Sequence, residues 1–109
     1  YFSFINFKHI KGWKKHKLIT LNIVVPIGNI RFVIFDERKK SKNFGQFQEV
    51  IIGNDNYCRL TIPPMVWLGF QGLTRKGSML LNIANIEHDV DEVDRLEIDQ
   101  INYNWSAVQ

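Results

Sequence analysis

At 109 residues, with 45% hydrophobic and 13% aromatic content, the chain is long enough for one ordinary hydrophobic core and too short for two, so a single domain over residues 1–109 is expected. The net charge of +3 hides an asymmetry: residues 1–59 carry eleven Lys and Arg against four Asp and Glu, and residues 60–109 carry three against seven. That acidic half and the lack of an RNP-type stacking motif argue against nucleic acid, the lack of an eighteen-residue apolar run argues against a membrane span, and the single cysteine, Cys58, excludes an internal disulfide and points to the cytoplasm.

Alternation at period two, rich in β-branched and aromatic residues, runs from Ser3 to Asn85 and predicts strands rather than helices. In chain order these are Ser3–Phe7, Leu18–Val25, Ile30–Asp36, Phe47–Ile52, Tyr57–Ile62, Val66–Leu73, Met79–Asn85 and a last short one at Ile101–Asn104. Tyr1–Phe7 is apolar on both faces, which calls for cover on both and suggests that it adds to a second copy of the chain. A basic cluster follows, with Lys8, Lys11, Lys14, Lys15 and Lys17 around His16. Short connectors at Pro26–Asn29, Gly53–Asn56, Pro63–Pro64 and Thr74–Gly77 suit antiparallel neighbours, while Lys39–Gly45 reads as a solvated turn. Cys58 sits in an alternating run and reads as a small buried hydrophobe. The acidic segment His88–Gln100 carries Val90, Val93 and Leu96 at i, i+3, i+6 and is expected to form one or two helical turns on the flank of the fold. Eight short strands with regular turns describe an all-β sandwich or barrel.

Several polar residues interrupt apolar strands. Asn22 and Asn82 would be costly to bury unless bonded, so each either pairs with backbone or faces a ligand cavity. Arg59 shares a strand face with Tyr57 and Thr61, and lines a polar pocket if that face turns inward or stands on an exposed edge if it does not. Trp13 and Trp67 either border the mouth of the fold or pack in its core. His88, between Glu87 and Asp89, suggests a metal ligand, with a solvated loop as the plainer alternative. One histidine near Lys14 cannot hold a divalent ion, so no metal or other cofactor is expected.

The stretches IKGWKKHK, VVPIGNIRFVIFDERKKSKNFGQF and NYCRLTIPPMVWLGFQ, in that order and closed by Asn104-Trp105, resemble the dTDP-4-dehydrorhamnose 3,5-epimerase family over about residues 10–105. The resemblance implies a cupin-type jelly roll, a nucleotide-linked deoxysugar as ligand, a homodimer, and proton abstraction beside a 4-keto group. It also implies that Lys11-Gly12 opens a strand, with Lys11 at the family's arginine position. Placed without gaps, the family's histidine base falls on Lys14, its second histidine on Leu68, its tyrosine acid on Leu81 and its enolate lysine near Leu21. His16 lies two residues past Lys14 on the same side of an extended strand. Catalysis, if retained, is therefore expected to use His16 and Lys14, with Lys11, Arg59, Asn82, Trp67 and Asn22 binding substrate. The apolar residues at the other family positions keep a second class open: a non-catalytic or regulatory cupin that binds a sugar nucleotide in surface-polysaccharide biosynthesis.

Overall fold

The computed structural model describes residues 2–84 and 92–106, and period-two alternation becomes nine strands there. They are β1 (Phe2–Ile5), β2 (Ile10–His16), β3 (Leu21–Ile27), β4 (Asn29–Phe35), β5 (Phe47–Gly53), β6 (Leu60–Ile62), β7 (Trp67–Gly72), β8 (Ser78–Ala84) and β9 (Val93–Arg95). Two sheets result, a four-stranded one in the order β1-β8-β3-β6 and a five-stranded one in the order β5-β4-β7-β2-β9, and every ladder is antiparallel. Alternate residues of each strand face inward, so Leu21, Ile23 and Val25 of β3 meet Ile30 and Phe32 of β4 and Leu68 of β7 in one core between the sheets.

A second apolar layer covers the outside of the five-stranded sheet. Trp13, Val33 and Trp67 point away from the main core and are covered by Leu96, Ile98, Ile101, Tyr103 and Trp105. Arg31, 1% exposed on that same face, ties the layer down: its Nη1 donates to Gln71 Oε1 at 3.0 Å and to the Trp105 carbonyl at 2.9 Å. Gly69 makes room for the layer, since a Cβ there would lie 3.1 Å from both Trp13 and Trp105. At the end of β4, the Asp36 carboxylate accepts from Arg38 (backbone N–H, Nε and Nη2) and from the Ser41 hydroxyl, which folds the Lys-rich loop back on itself. The Arg38 guanidinium holds that carboxyl far below the usual carboxylate range, overcoming the opposing effect of burial.

Four expectations change. Ile101–Asn104 is not a strand: Ile101, Tyr103 and Trp105 do alternate toward the sheet, but they pack on its face and join no ladder. The expected helical turns give way, within the described residues, to β9 pairing with β2 and one 3-10 turn at Ile98–Gln100. Only Leu60–Ile62 of the expected Tyr57–Ile62 strand forms, because its ladder with β3 ends at Ile23↔Leu60. Cys58, in the unpaired lead-in, is exposed rather than buried.

Replacing Gly69 by Ala should lower unfolding stability by about 1–3 kcal/mol through overpacking. Trp105→Ala should cost about 3–5 kcal/mol by opening a cavity in the same layer. Urea unfolding followed by circular dichroism measures both.

Candidate functional site

The site begins with a bulge. In the β2–β7 ladder Lys11 pairs with Phe70 and Lys14 with Leu68, so three residue steps on β2 match two on β7. Phe70 and Leu68 face inward, and the extra residue therefore brings Lys11 and Lys14, three apart in sequence, onto the same inward face, with His16 one pleat further. Gly12 occupies the bulge, where a Cβ would meet Ile98 Cδ1 at 3.0 Å.

These side chains line a cavity of about 130 Å³ between the sheets. Its wall is apolar at Leu21, Ile23, Leu68, Phe70 and Leu80, and polar at Ser3, Lys11, Lys14, His16 and Asn82. Lys11 Nζ donates to Ser3 Oγ at 3.1 Å and lies 3.5 Å from the Phe4 carbonyl, bridging the seam between the sheets. Asn82 is 7% exposed on β8.

His16 is held by a residue that the sequence reading did not select. Its Nδ1 lies 2.5 Å from Glu92 Oε1, and the other carboxylate oxygen, Oε2, accepts the backbone N–H groups of Lys17 and Leu18 at 3.1 Å and of Ile19 at 3.3 Å. Glu92 is 4% exposed. Burial pushes its carboxyl up, but the hydrogen bond from His16, those from Leu18 and Ile19, and the nearby imidazole charge together hold it below its ordinary value of 4.5. A carboxylate can only accept, so the network assigns the proton to Nδ1 and, in the neutral ring, leaves Nε2 with a free lone pair. An imidazole oriented in this way on a cavity wall can take a proton from a bound carbon acid.

The structure thus brings together Lys11, Lys14, His16 and Asn82 from the expected set, and not the other three. Asn22 stands on the outer face of the four-stranded sheet, its Oδ1 accepting from Thr61 Oγ1 at 2.8 Å. Arg59 is exposed before β6, whose inward residues are Leu60 and Ile62. Trp67 is buried in the outer layer, with Nε1 donating to the Glu37 carboxylate and the Lys15 ammonium 5.0 Å from its ring centroid. Trp13 lies in that layer too, 1% exposed. Leu68 and Leu21 do line the cavity, but Leu81 does not: the pleat presents Leu80 and Asn82 instead. Glu92 carried one sequence signal, an acid inside an apolar i, i+3 run. His88, Glu87 and Asp89 lie outside the described residues. Among the described residues no cluster of three His, Cys, Asp or Glu could hold a metal ion, and no helix is long and apolar enough to cross a membrane.

An all-β double sheet enclosing a polar-walled cavity defines a cupin-type jelly roll. Within that class, the chain belongs to the dTDP-4-dehydrorhamnose 3,5-epimerase family, whose sequence profile matches residues 9–109. A dTDP sugar isomerase from Desulfovibrio desulfuricans G20 superposes with a TM-score of 0.95 at 36% identity, over 100% of this chain and 71% of that one. Among sequence relatives, the probable low-salt glycan biosynthesis epimerase Agl13 of Haloferax volcanii is 29% identical over 90 residues, which is 82% of this chain and 58% of Agl13. The spore coat polysaccharide biosynthesis protein SpsL of Bacillus subtilis is 27% identical over 86 residues, 75% of this chain and 57% of SpsL. The chain thus spans little more than half the length of these two relatives. At 20% identity, the RmlC epimerase of Legionella pneumophila, crystallised with dTDP-4-keto-L-rhamnose, shares the fold with a TM-score of 0.78 over 88% of this chain and 52% of its own.

Glu92→Gln should destabilise the protein by about 1–3 kcal/mol at pH 7, since the buried acceptor of four donors loses its charge. Because the folded-state value is depressed, this stabilisation is present above 4.5 and is lost as the pH falls below it. Urea midpoints of the two proteins, measured from pH 7 to pH 3, should converge toward the acid end.

Proposed function

We propose that this chain acts on a nucleotide-linked 4-keto deoxysugar as an epimerase or isomerase. The observation that carries the reading is His16, held by Glu92, on the wall of a cavity whose remaining polar groups are two lysines, a serine hydroxyl and an amide. In this scheme His16 Nε2 removes the proton from the carbon beside the ketone. The Lys11 ammonium and the Asn82 amide stabilise the developing enolate oxygen, and Lys14 adds positive charge at the rim. Glu92 keeps the ring in the tautomer that the step needs. The Leu21, Leu68 and Leu80 wall suits the C6 methyl of a deoxysugar. One cupin domain over residues 1–109, working in the cytoplasm on a precursor of a surface glycan, fits the glycan and polysaccharide roles named for Agl13 and SpsL.

A second reading is favoured by the apolar residues at Leu68 and Leu21: a cupin that binds the sugar nucleotide without turning it over. The two part on exchange chemistry. Incubated in D2O with dTDP-4-keto-6-deoxyglucose, the wild type should incorporate deuterium next to the carbonyl, detected by NMR or mass spectrometry. His16→Asn should slow this by about 10²–10⁴-fold, the usual contribution of a general base. Binding in a thermal-shift assay with no exchange would establish the non-catalytic reading instead.

The proposal extends to a homodimer. β1 is an edge of the four-stranded sheet, and Phe2 and Phe4 on its outer face are 64% and 51% exposed, beside Ile83 of β8 at 58%. An open strand edge flanked by an apolar face is a pairing surface, and a second copy of β1 supplies both backbone partners and cover. Light scattering at micromolar concentration should give the mass of two chains, and Phe2→Asp with Ile83→Asp should give one. A monomeric wild type sinks the dimer.

A further inference from the structure

The cavity has two walls of different chemistry. One is built by β2 and β7 of the five-stranded sheet, the other by β1, β3 and β8 of the four-stranded sheet. Among the described residues, the three ionisable side chains that line it, Lys11, Lys14 and His16, all come from β2. The facing wall is apolar at Leu21, Ile23 and Leu80, and its polar groups are the Asn82 amide and the Ser3 hydroxyl, which accepts from Lys11 Nζ at 3.1 Å. An amide, or an alcohol with no base beside it, is a poor proton donor to carbon. No tyrosine of the described residues reaches the cavity: Tyr57 is exposed and Tyr103 lies in the outer layer.

Inverting a carbon centre takes a base on one face of the sugar ring and an acid on the other. Resting on the nucleotide-sugar reading above, we infer that this site works on one face only, and that it moves the ketone from C4 to C3 instead of inverting a centre. C3 is where such a shift can occur, because it bears a hydroxyl, whereas C5 bears the ring oxygen. His16 Nε2 takes the C3 proton, the electron pair of that C–H bond becomes the C3=C4 bond, and the carbonyl pair moves onto O4. The O3 proton passes to O4 across the cis-enediolate. The pair left on O3 then forms the C3 carbonyl, and C4 takes the proton of the His16 imidazolium. C3 is oxidised as C4 is reduced, so the step needs no outside oxidant or reductant. Lys11, anchored at the seam between the sheets by Ser3 Oγ and the Phe4 carbonyl, sits at the edge of a ring lying between them, where O3 and O4 project. One base serving both carbons fixes the stereochemistry. The proton arrives at C4 on the face from which it left C3, so a gluco-configured substrate yields an axial, galacto-configured 4-hydroxyl.

The test is the structure of the product formed by the wild type from dTDP-4-keto-6-deoxyglucose, followed by NMR in H2O with a parallel sample in D2O. The expected product has its carbonyl at C3 and an axial 4-hydroxyl, read from a small coupling between H4 and H5. His16→Asn should form it about 10²–10⁴-fold more slowly. The wild-type product decides the matter whether or not that variant folds. A product that keeps its carbonyl at C4 and is inverted at C3 or C5 requires a donor on the second face; it overturns the inference and leaves the epimerase reading standing. A 3-keto product with an equatorial 4-hydroxyl, or deuterium exchange with no shifted carbonyl, overturns the inference as well while the sugar-nucleotide chemistry survives. With neither product nor exchange, the catalytic reading falls and takes the inference with it.

Discussion

One extra residue in one strand arranges the chemistry of this protein. Without the bulge between Lys11 and Lys14, strict alternation would send those two lysines to opposite faces of the five-stranded sheet. With it, Lys11, Lys14 and His16 all reach the cavity, while Trp13 turns outward and is covered by the C-terminal layer. The bulge is held from outside, because Trp13 Nε1 donates to the Ile98 carbonyl at 3.3 Å and Leu96 N–H donates to the Trp13 carbonyl at 3.0 Å. The apolar outer layer and the polar inner wall are thus two sides of one local distortion.

Glu92 couples this wall to the chain that follows it. One buried carboxylate accepts from the imidazole and from three successive backbone N–H groups, so the position of His16 and the path of residues 17–19 are set together. Buried charges persist when fully hydrogen-bonded, and this one is. The same contacts anchor the start of β9, whose pairing with β2 completes the sheet edge. Structural support and orientation of the candidate base are therefore a single network, and substitutions there are expected to affect folding and chemistry together.

Much of the fold was legible in the sequence. Seven of the nine strands fall on runs of alternating β-branched and aromatic residues, where burial of one face dictates the period. β2 was visible only through the family motif at Lys11-Gly12, since its cations conceal an amphipathic pattern that the bulge also interrupts. β9 was lost because three apolar residues at i, i+3, i+6 fit a helical turn as well as an edge strand with a flanking loop. Of the candidate site residues, Lys11, Lys14, His16 and Asn82 converge on one cavity, whereas Asn22 and Arg59 face away from it, since a sequence cannot fix orientation when both faces of a strand are mixed. Trp67 takes the packing alternative instead, buried by a second apolar layer that the periodicity does not show. The partnership of Glu92 with His16 spans seventy-six positions and leaves no local trace.

The outer layer also decides what the protein's own light will report. Its three tryptophans, Trp13, Trp67 and Trp105, all belong to the cluster outside the five-stranded sheet, and none lines the inner cavity. Intrinsic emission therefore follows the docking of residues 96–105 on that sheet, whereas far-ultraviolet dichroism follows the two sheets themselves. Coincident transitions by the two signals would mark the layer as part of one cooperative unit. An earlier fluorescence change would mean that the layer peels away while the sandwich, and the chamber inside it, persist.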